Sequence, residues 1–266
     1  LLLNAGDTIQ GDAMSYFFKS AGLGYSADGT ALDPALHIQP SIAVMNALGY
    51  NAMTVGNHEY NFGPEVFGSA LGAASFPMLQ ANVYDDGGYG LDQVPIEPST
   101  TIPLPGPAGT IDVAILGIGN HRVPSYELPS NIPGLTFTNP IQEALDRVPY
   151  LAATNDVVVA LTHIGFTTDP NSVEVDENVD TNLAAQTAGI DAILGGHSHT
   201  DPTRQTSSSG DYLYLPTFVA GSDGEPVIIH HSYRYNNYLG EVILGLDPFD
   251  ARGSVDYRVV TRVGRA

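Results

Sequence analysis

The sequence predicts an α/β fold with two layers of buried strands and helices on the outside. Six short apolar runs alternate with helical or turn-rich stretches: LLLNA at 1–5, AMTV at 52–55, MLQANV at 78–83, IDVAILGI at 111–118, DVVVALT at 156–162 and DAILG at 191–195. Runs of this length without polar alternation are typical of strands that are covered on both faces. A chain of 266 residues, 43% of them hydrophobic, is long enough to form one large domain around a sizeable core.

Five helices are predicted between these strands. Their predicted bounds are Asp12–Ser20, Ile38–Leu48, Pro64–Ala74, Pro140–Ala153 and Val179–Ala188. Asp12 and Asn139 stand where N-cap residues are expected, and Pro140 suits a first helical turn.

After Gly195 the pattern changes to strands joined by turns. The predicted strands are LYLPTFVAG at 213–221, PVIIHHSYRYNNY at 226–238, LGEVILGLD at 239–247 and VDYRVVTRV at 255–263. They indicate a second sheet, or the far half of a β-sandwich. Residues 85–109 and 120–138 are predicted to be long surface loops of the kind that often form the rim of a functional site.

The charge balance limits the choice of ligand. The net charge is −20, because 29 acidic residues face only 9 Lys and Arg. Nucleic acid and anionic lipid are disfavoured as partners, since both are bound by clustered basic residues. The charge of any smaller anionic ligand would have to be met by something other than side-chain cations, and bound metal is the obvious candidate. No apolar run approaches the roughly 18 residues that a membrane-spanning helix needs. The lack of cysteine excludes thiolate metal sites and a cysteine nucleophile.

Four of the predicted strands end on side chains that can bind metal. These residues are Asp7 after the first run, Asn57 and His58 after the second, His163 after DVVVALT, and His197 and His199 after DAILG. Ligand sites of open α/β sheets lie beyond the carboxyl ends of the strands, so we expect these side chains to converge. The other histidines, which lack this placement, are predicted to be structural: His37, His121, His230 and His231.

The pair His197 and His199 suggests a geometry for the site. In an extended backbone residues i and i+2 point to the same side, so both rings would face one ion, or two neighbouring ions. Imidazole, carboxylate and amide donors without thiolate suit Zn, Mn, Fe or Co. Asp7 could bridge two such ions. Each residue also has a structural alternative, since Asp7 could cap a helix and Asn57 could hold a turn.

Four motifs carry a family resemblance: GDTIQGD at 6–12, GNHEYNFG at 56–63, THIGF at 162–166 and GGHSHT at 195–200. In this order they resemble the signature of the calcineurin-like metallophosphoesterases, and more narrowly the catalytic domain of the 5'-nucleotidase and UDP-sugar hydrolase group. The segment YNNYLGEVILGLD at 235–247 is similar to the strand that closes that domain. The likeness covers essentially the whole chain, and it implies a four-layer α-β-β-α sandwich.

The resemblance also implies two divalent metal ions, Zn, Mn or similar, and a role for each motif residue. Asp7 matches the carboxylate that bridges the two metals. The remaining ligands match as follows: Asn57, His163 and His197 on one metal, and His199 on the other. His58 matches the histidine that stabilises the transferring phosphoryl group or the leaving oxygen, and a hydroxide held between the metals would attack phosphorus in line.

The sequence departs from the family pattern in two places. No Asp-x-His motif precedes Asp7, although the family's first strand supplies two ligands there to the metal that His199 matches. We therefore expect residues 1–266 to form a single catalytic domain that lacks its first strand and the family's C-terminal nucleotide-specificity domain. Asn61 stands where the family commonly has an aspartate, and a neutral amide should leave His58 less basic.

Candidates for substrate binding are few. Arg122 could clamp a phosphate, although a solvated loop arginine is the alternative reading. Three tyrosines could lie near the cleft and stack on a base: Tyr60, Tyr126 and Tyr238.

These features favour a dinuclear metal-dependent phosphoesterase of the 5'-nucleotidase type. It would hydrolyse nucleotides or related phosphate esters in an extracellular, periplasmic or cell-surface location. Two alternatives stay open. One is a surface or assembly protein that keeps the scaffold without turnover, and the other is a cyclic-nucleotide phosphodiesterase or sulfur-oxidation-type hydrolase of the same fold. The sequence leaves the exact substrate and the oligomeric state undetermined.

Overall fold

The computed structural model describes most of the chain. The described ranges are 1–21, 39–92, 96–106, 109–167, 176–201, 204–206, 212–214, 217–235, 238–246 and 255–258. Some predicted features fall outside them: His37, the helix start at Ile38, and strand residues 215–216, 236–237, 247 and 259–263.

All five predicted helices are present, each with ends shifted by no more than two residues. They are α1 (Ala13–Ala21), α2 (Pro40–Leu48), α3 (Gly63–Ala73), α4 (Pro140–Thr154) and α5 (Asp180–Gln186). The side chain of Asn139 accepts the backbone N–H of Gln142 at 3.0 Å, which is the predicted N-cap of α4. Helix α2 ends at Gly49, whose φ of +72° is the left-handed conformation that glycine adopts without strain.

Most of the strands follow the predicted runs. The first strands are β1 (Leu3–Asn4), β2 (Ala52–Thr54), β3 (Met78–Leu79), β4 (Val83–Asp85), β5 (Ser99–Gly106), β6 (Gly109–Ile118), β7 (Leu135–Phe137), β8 (Val157–Thr162) and β9 (Ala192–Gly195). The later ones are β10 (Arg204–Thr206), β11 (Tyr212–Tyr214), β12 (Thr217–Ala220), β13 (Pro226–His231), β14 (Ile243–Leu246) and β15 (Val255–Arg258). The run at 78–83, predicted as one strand, is divided between β3 and β4.

Three strands lie outside the predicted runs. Strand β7 lies in the segment 120–138, which was predicted to be a surface loop, and β10 lies in none of the predicted strands. Strand β5 lies in the other predicted surface loop, 85–109. It pairs along its whole length with β6 in antiparallel register. Pro103 and Pro105 lie within it, and this concealed the strand because proline is depleted in sheets. Both are tolerated because β5 lies at the edge of the sheet, where one side of the strand has no neighbouring strand to bond.

Two sheets form the centre of the fold. The larger has the order β12-β13-β9-β8-β6-β5, in which β13, β9, β8 and β6 run parallel. The smaller is parallel throughout, with the order β1-β2-β3. The carboxyl ends of parallel strands share one edge of a sheet, so the loops after β1, β2, β8 and β9 can meet there.

Three apolar clusters lie between the layers of helices and sheets. The first joins α4 and α5 to the large sheet and includes Val148, Leu183 and Ala160. The second lies between the sheets, where Ala52 and Leu79 meet strands of the large sheet. The third joins α2 and α3 to the small sheet and includes the following: Ile42, Phe67, Met53 and Met78. Three such clusters require four layers, which confirms the predicted α-β-β-α sandwich. Every helix within the described ranges is too short or too polar to cross a bilayer.

Asp191, at the start of β9, predicts a pH dependence of stability. Burial and the nearby charge of Asp223 raise its pKa to about 6, against the N–H bond that it accepts from Val158. The folded protein then binds the proton more tightly than the unfolded chain, so stability falls as pH rises from about 4 to 6. Asp191→Asn should raise the free energy of unfolding at pH 7 by about 1–2 kcal/mol, after allowance for the partial exposure of the side chain.

Urea unfolding at pH 4 and pH 7 measures this effect. We expect the gain to fall to about 0.5 kcal/mol near pH 4, where the wild-type carboxyl is protonated in the folded protein and about half protonated in the unfolded chain. Asp146→Asn on the exposed face of α4 is the matched control and should change neither value by more than about 0.5 kcal/mol. An equal gain at both pH values would show that the charge of Asp191 is not its cause.

Candidate active site

The loops after β1, β2, β8 and β9 converge on one place. Oδ2 of Asp7 lies 2.9 Å from Nε2 of His163. Oδ1 of Asn57 lies 2.9 Å from Nδ1 of His197, and the rings of His163 and His197 are 5.3 Å apart. The backbone N–H of His58 donates to Oδ1 of Asp7 at 2.9 Å. Side chains that are up to 190 positions apart in sequence therefore form one cluster.

His199 lies at the margin of this cluster. Its ring meets that of Tyr235 edge-on, with centroids 5.4 Å apart. Both His197 and His199 have positive φ, +79° and +51°, so the extended backbone expected for this pair is wrong. Strand β9 already ends at Gly195, and the chain turns sharply beyond it. Asp7 also has a positive φ, +59°. Left-handed backbone at such residues costs about 1–2 kcal/mol each, and such strain is concentrated at functional sites.

Hydrogen bonding fixes the orientation of His163. Its Nδ1–H donates to the carbonyl oxygen of Ala5 at 2.5 Å, so Nε2 is turned towards Asp7. Among the described residues, Nε2 is a buried atom without a well-angled hydrogen-bond partner, although Asp7 is close. Burial alone would lower the pKa of His163, but the carboxylate of Asp7 raises it to about 9. The proton held at this position is the one that a metal ion would displace.

The charge states of Asp7 and His197 suit a ligand set. Burial would raise the pKa of Asp7, but His163 and His58 hold it well below its usual value, so the carboxylate is ionised. Burial, together with the neighbouring His163, lowers the pKa of His197 to about 3, so this ring is neutral at pH 7. An anionic carboxylate, neutral imidazole and an amide oxygen are donors that zinc or manganese accepts.

The donor atoms contact one another in pairs. Among the described residues, no three histidine, aspartate or glutamate side chains enclose a single metal position. The pairs are Asp7 with His163 and Asn57 with His197. The donor chemistry fits a divalent ion, and the buried Nε2 of His163, which faces the Asp7 carboxylate at 2.9 Å without a well-angled hydrogen bond, supports that fit.

A buried carboxylate that sequence reasoning missed holds the site together. Glu59 is fully buried and accepts four backbone N–H groups, from Gly56 at 2.6 Å, Asp7 at 2.8 Å, Ile9 at 3.2 Å, and Thr8. Burial and the charge of Asp7 raise its pKa. It joins the loop after β1 to the loop after β2. Gly56 permits this approach, since a Cβ there would lie 2.4 Å from the backbone nitrogen of Asp7.

Asn120 was also missed. It follows β6, at a fifth strand end on the same edge of the fold. Its Oδ1 accepts the backbone N–H of Arg122 at 2.7 Å, so its NH2 group faces Nε2 of His197 at 2.8 Å. His197 is therefore held between two amides, Asn57 and Asn120. The rule that found Asn57, a polar residue directly after a buried strand, applies equally to Asn120.

His58 is oriented by Asn61. Nδ1 of His58 lies 2.5 Å from Oδ1 of Asn61, and Nδ2 of Asn61 donates to a carboxylate oxygen of Glu127. Glu127, in the loop after β6, is the third residue that the sequence did not indicate.

The four candidates for substrate binding differ in their surroundings. Tyr60 is fully buried and stacks on Phe67, so the proposal that it could hold a base is wrong. Tyr126 is 49% exposed and near enough to Asp7 that burial and this carboxylate together raise its pKa. Arg122 is near Tyr126, and its positive charge opposes this rise in the pKa of Tyr126. Tyr238 packs near Tyr233, at a centroid distance of 6.2 Å.

The remaining described histidines have structural surroundings. His121 pairs with Asp176 at 3.0 Å, and buried His231 pairs with buried Asp180 at 2.6 Å. His230 is buried in β13.

Known proteins share this sequence pattern. A family model described as calcineurin-like phosphoesterase matches residues 1–201. The chain is 31% identical over 256 residues to a 5'-nucleotidase of Diplobatis ommata, which covers 93% of this chain and 38% of the relative. It is 31% identical over 261 residues to the trifunctional nucleotide phosphoesterase protein YfkN of Bacillus subtilis (strain 168), covering 96% of this chain and 17% of that protein.

A solved structure shares the fold. The 5'-nucleotidase precursor from Thermus thermophilus superposes with a TM-score of 0.73 at 24% identity, over 98% of this chain and 45% of that one. The chain thus spans less than half the length of each of these relatives.

Proposed function

Because the chain belongs to the calcineurin-like phosphoesterase family, we propose that it is a metal-dependent phosphoesterase that releases phosphate from nucleotides. The observation that carries the proposal is the buried Nε2 of His163, directed at an ionised carboxylate 2.9 Å away beside a second donor pair. Both curated relatives described above are named for action on nucleotides. We also propose a location outside the cytoplasm, with which the cysteine-free sequence is compatible.

The proposed metal ligands are those of the cluster. Asp7 would serve two ions, and the remaining donors are Asn57, His163 and His197 for one ion and His199 for the other. Divalent cations bound there would draw electron density from the phosphoryl oxygens and activate the attacking group. In a chain of net charge −20, they would also offset the repulsion of an anionic substrate.

The protein's own residues would orient the reaction. The backbone N–H of His58 is fixed on Asp7, and its Nδ1 is fixed on Asn61. Its Nε2 is then the ring atom that is left to hydrogen-bond the phosphoryl or leaving oxygen. Tyr126 is near enough to both Asp7 and Arg122 for their charges to act on its pKa, so Arg122 and Tyr126 would contact the part of the substrate outside the metal centre.

Phosphate release from AMP tests the proposal. We expect chelation and dialysis to reduce the rate by at least about 100-fold, and Zn or Mn to restore it, because the cations would provide most of the charge stabilisation. Metal analysis by mass spectrometry should find two ions per chain. The proposal would be contradicted if, with metals supplied, the protein released no phosphate from AMP, UMP or p-nitrophenyl phosphate and formed no nucleoside monophosphate from a 2',3'-cyclic nucleotide.

The same measurements separate the two main alternatives. A binding or assembly protein built on this scaffold would fold normally and hydrolyse nothing on this panel. A preference for the cyclic nucleotide over AMP would instead indicate a phosphodiesterase.

A further inference from the structure

We propose that Glu127 is a positioning residue for His58 and acts through Asn61. A carboxylate, an amide and an imidazole would then form one hydrogen-bonded chain. The inference rests on the proposed function, since it concerns how His58 is presented to a substrate. It explains how a histidine next to a neutral Asn61 can still be oriented by a carboxylate.

The contacts form a continuous chain. Nδ1 of His58 lies 2.5 Å from Oδ1 of Asn61, and Nδ2 of Asn61 donates to Oε2 of Glu127. Oε1 of Glu127 accepts the backbone N–H of Leu128 at 2.7 Å and Nδ2 of Asn131 at 2.9 Å. Nδ2 of Asn131 also donates to the carbonyl oxygen of Asn61 at 2.9 Å. Asn131 thus holds Glu127 and the backbone of Asn61 together.

This chain fixes which way the amide of Asn61 points. A carboxylate can only accept hydrogen bonds, so the NH2 group of Asn61 must face Glu127. The amide oxygen must then face His58, and Nδ1 of His58 must carry a hydrogen atom. Glu127 is only 9% exposed, so water competes little for its oxygens. The position of the Glu127 carboxylate therefore decides the tautomer of His58, although the two side chains are joined only through Asn61.

The tautomer matters for the reaction. With a hydrogen atom on Nδ1, Nε2 is the free end of the ring and faces away from Asn61. If Asn61 were reversed, its NH2 group would point at Nδ1, and the ring could not carry hydrogen on both nitrogens without a clash of donors. Nε2 can donate to a phosphoryl or leaving oxygen only in the form of the ring that carries hydrogen on both nitrogens, and the Nδ1–H of that form needs the amide oxygen of Asn61 in the observed orientation.

Glu127→Gln should reverse this orientation. Oε1 faces two donors and Oε2 faces one, so the glutamine should keep its oxygen at the first position and place its NH2 group towards Asn61. Asn61 would then rotate and present its own NH2 group to His58. In nitrogen NMR spectra of histidine-labelled protein, His58 should change from the Nδ1–H to the Nε2–H tautomer, with its signals assigned by their loss in His58→Gln.

Kinetics provide the second readout. We expect kcat on AMP to fall about 30- to 100-fold in Glu127→Gln and KM to change less than about threefold. The expected loss is at or below the lower end of the roughly 100- to 10,000-fold that positioned proton donors contribute, because His58 itself is kept. The loss should be smaller on p-nitrophenyl phosphate, whose leaving group needs less help. Glu225→Gln, at an exposed turn between β12 and β13, is the matched control and should change neither the spectrum nor kcat.

Rescue completes the test. Adding Asn61→Asp to Glu127→Gln should restore the Nδ1–H tautomer and most of kcat, because an aspartate offers an acceptor whichever way it turns. An unchanged tautomer in folded Glu127→Gln would overturn the inference, even if the protein hydrolyses AMP. If the protein hydrolyses nothing, the proposed function fails, and the NMR result still decides whether Glu127 positions His58.

Discussion

Asp7→Asn should reduce phosphate release from AMP by at least about 1000-fold, since it removes the one carboxylate at the centre of the proposed metal site. Asparagine has the same shape as aspartate, and its Oδ1 can still accept the N–H of His58, which donates to Oδ1 of Asp7 at 2.9 Å in the wild type. What it removes is the charge. The pKa of Asp7 is held well below its usual value by His163 and His58, so the wild-type group is anionic at every pH where the enzyme would work.

Metal analysis should show that bound metal falls from two ions per chain to one or none. The matched control is Asp12→Asn, the same change five residues further along. Asp12 accepts the N–H of Ser15 at 2.7 Å at the start of α1, and asparagine caps helices equally well, so activity should stay near that of the wild type. If Asp7→Asn kept two ions and most of its activity, Asp7 would not be a metal ligand.

The sequence predicted those parts of the fold that depend on local pattern. Buried strands such as β8 are uninterrupted apolar runs, and helices such as α4 begin at recognisable caps. The residues of the central cluster were found because each follows the end of a buried strand, which is a local feature. β5 was missed because its pattern is polar and interrupted by prolines, and its pairing with β6 becomes visible only in three dimensions.

The supporting residues were missed because their contacts are long-range. Glu59 contacts Thr8, 51 positions away, and Glu127 contacts Asn61 across 66 positions. Asn120 contacts His197 across 77 positions. Nothing in a single sequence distinguishes Glu59 and Glu127 from ordinary polar residues in turns, whereas Asn120 follows a buried strand as Asn57 does. The backbone turn at His197 and His199 was misjudged for a related reason, since positive φ at a non-glycine residue is imposed by its surroundings rather than by its type.

Glu59→Ala should lower the free energy of unfolding by about 3 kcal/mol, since it leaves four backbone N–H groups without their acceptor. Each orphaned donor costs about 1–3 kcal/mol when buried, and relief of the buried charge offsets part of that sum. The raised pKa of Glu59 shows that burial and Asp7 do oppose its charge. The four backbone hydrogen bonds are therefore what stabilises the buried carboxylate of Glu59.

Urea unfolding measures the loss, and Glu65→Ala on the exposed face of α3 should cost less than about 0.5 kcal/mol. Glu59→Gln gives an intermediate case. Each oxygen of Glu59 accepts two N–H groups, so the NH2 group of the glutamine must face two donors whichever way it turns. We expect this variant to fold and to bind metal more weakly, because the loop that carries Asp7 loses half of its support. A loss of less than about 1 kcal/mol in Glu59→Ala would mean that water replaces the carboxylate and that Glu59 does not hold the two loops together.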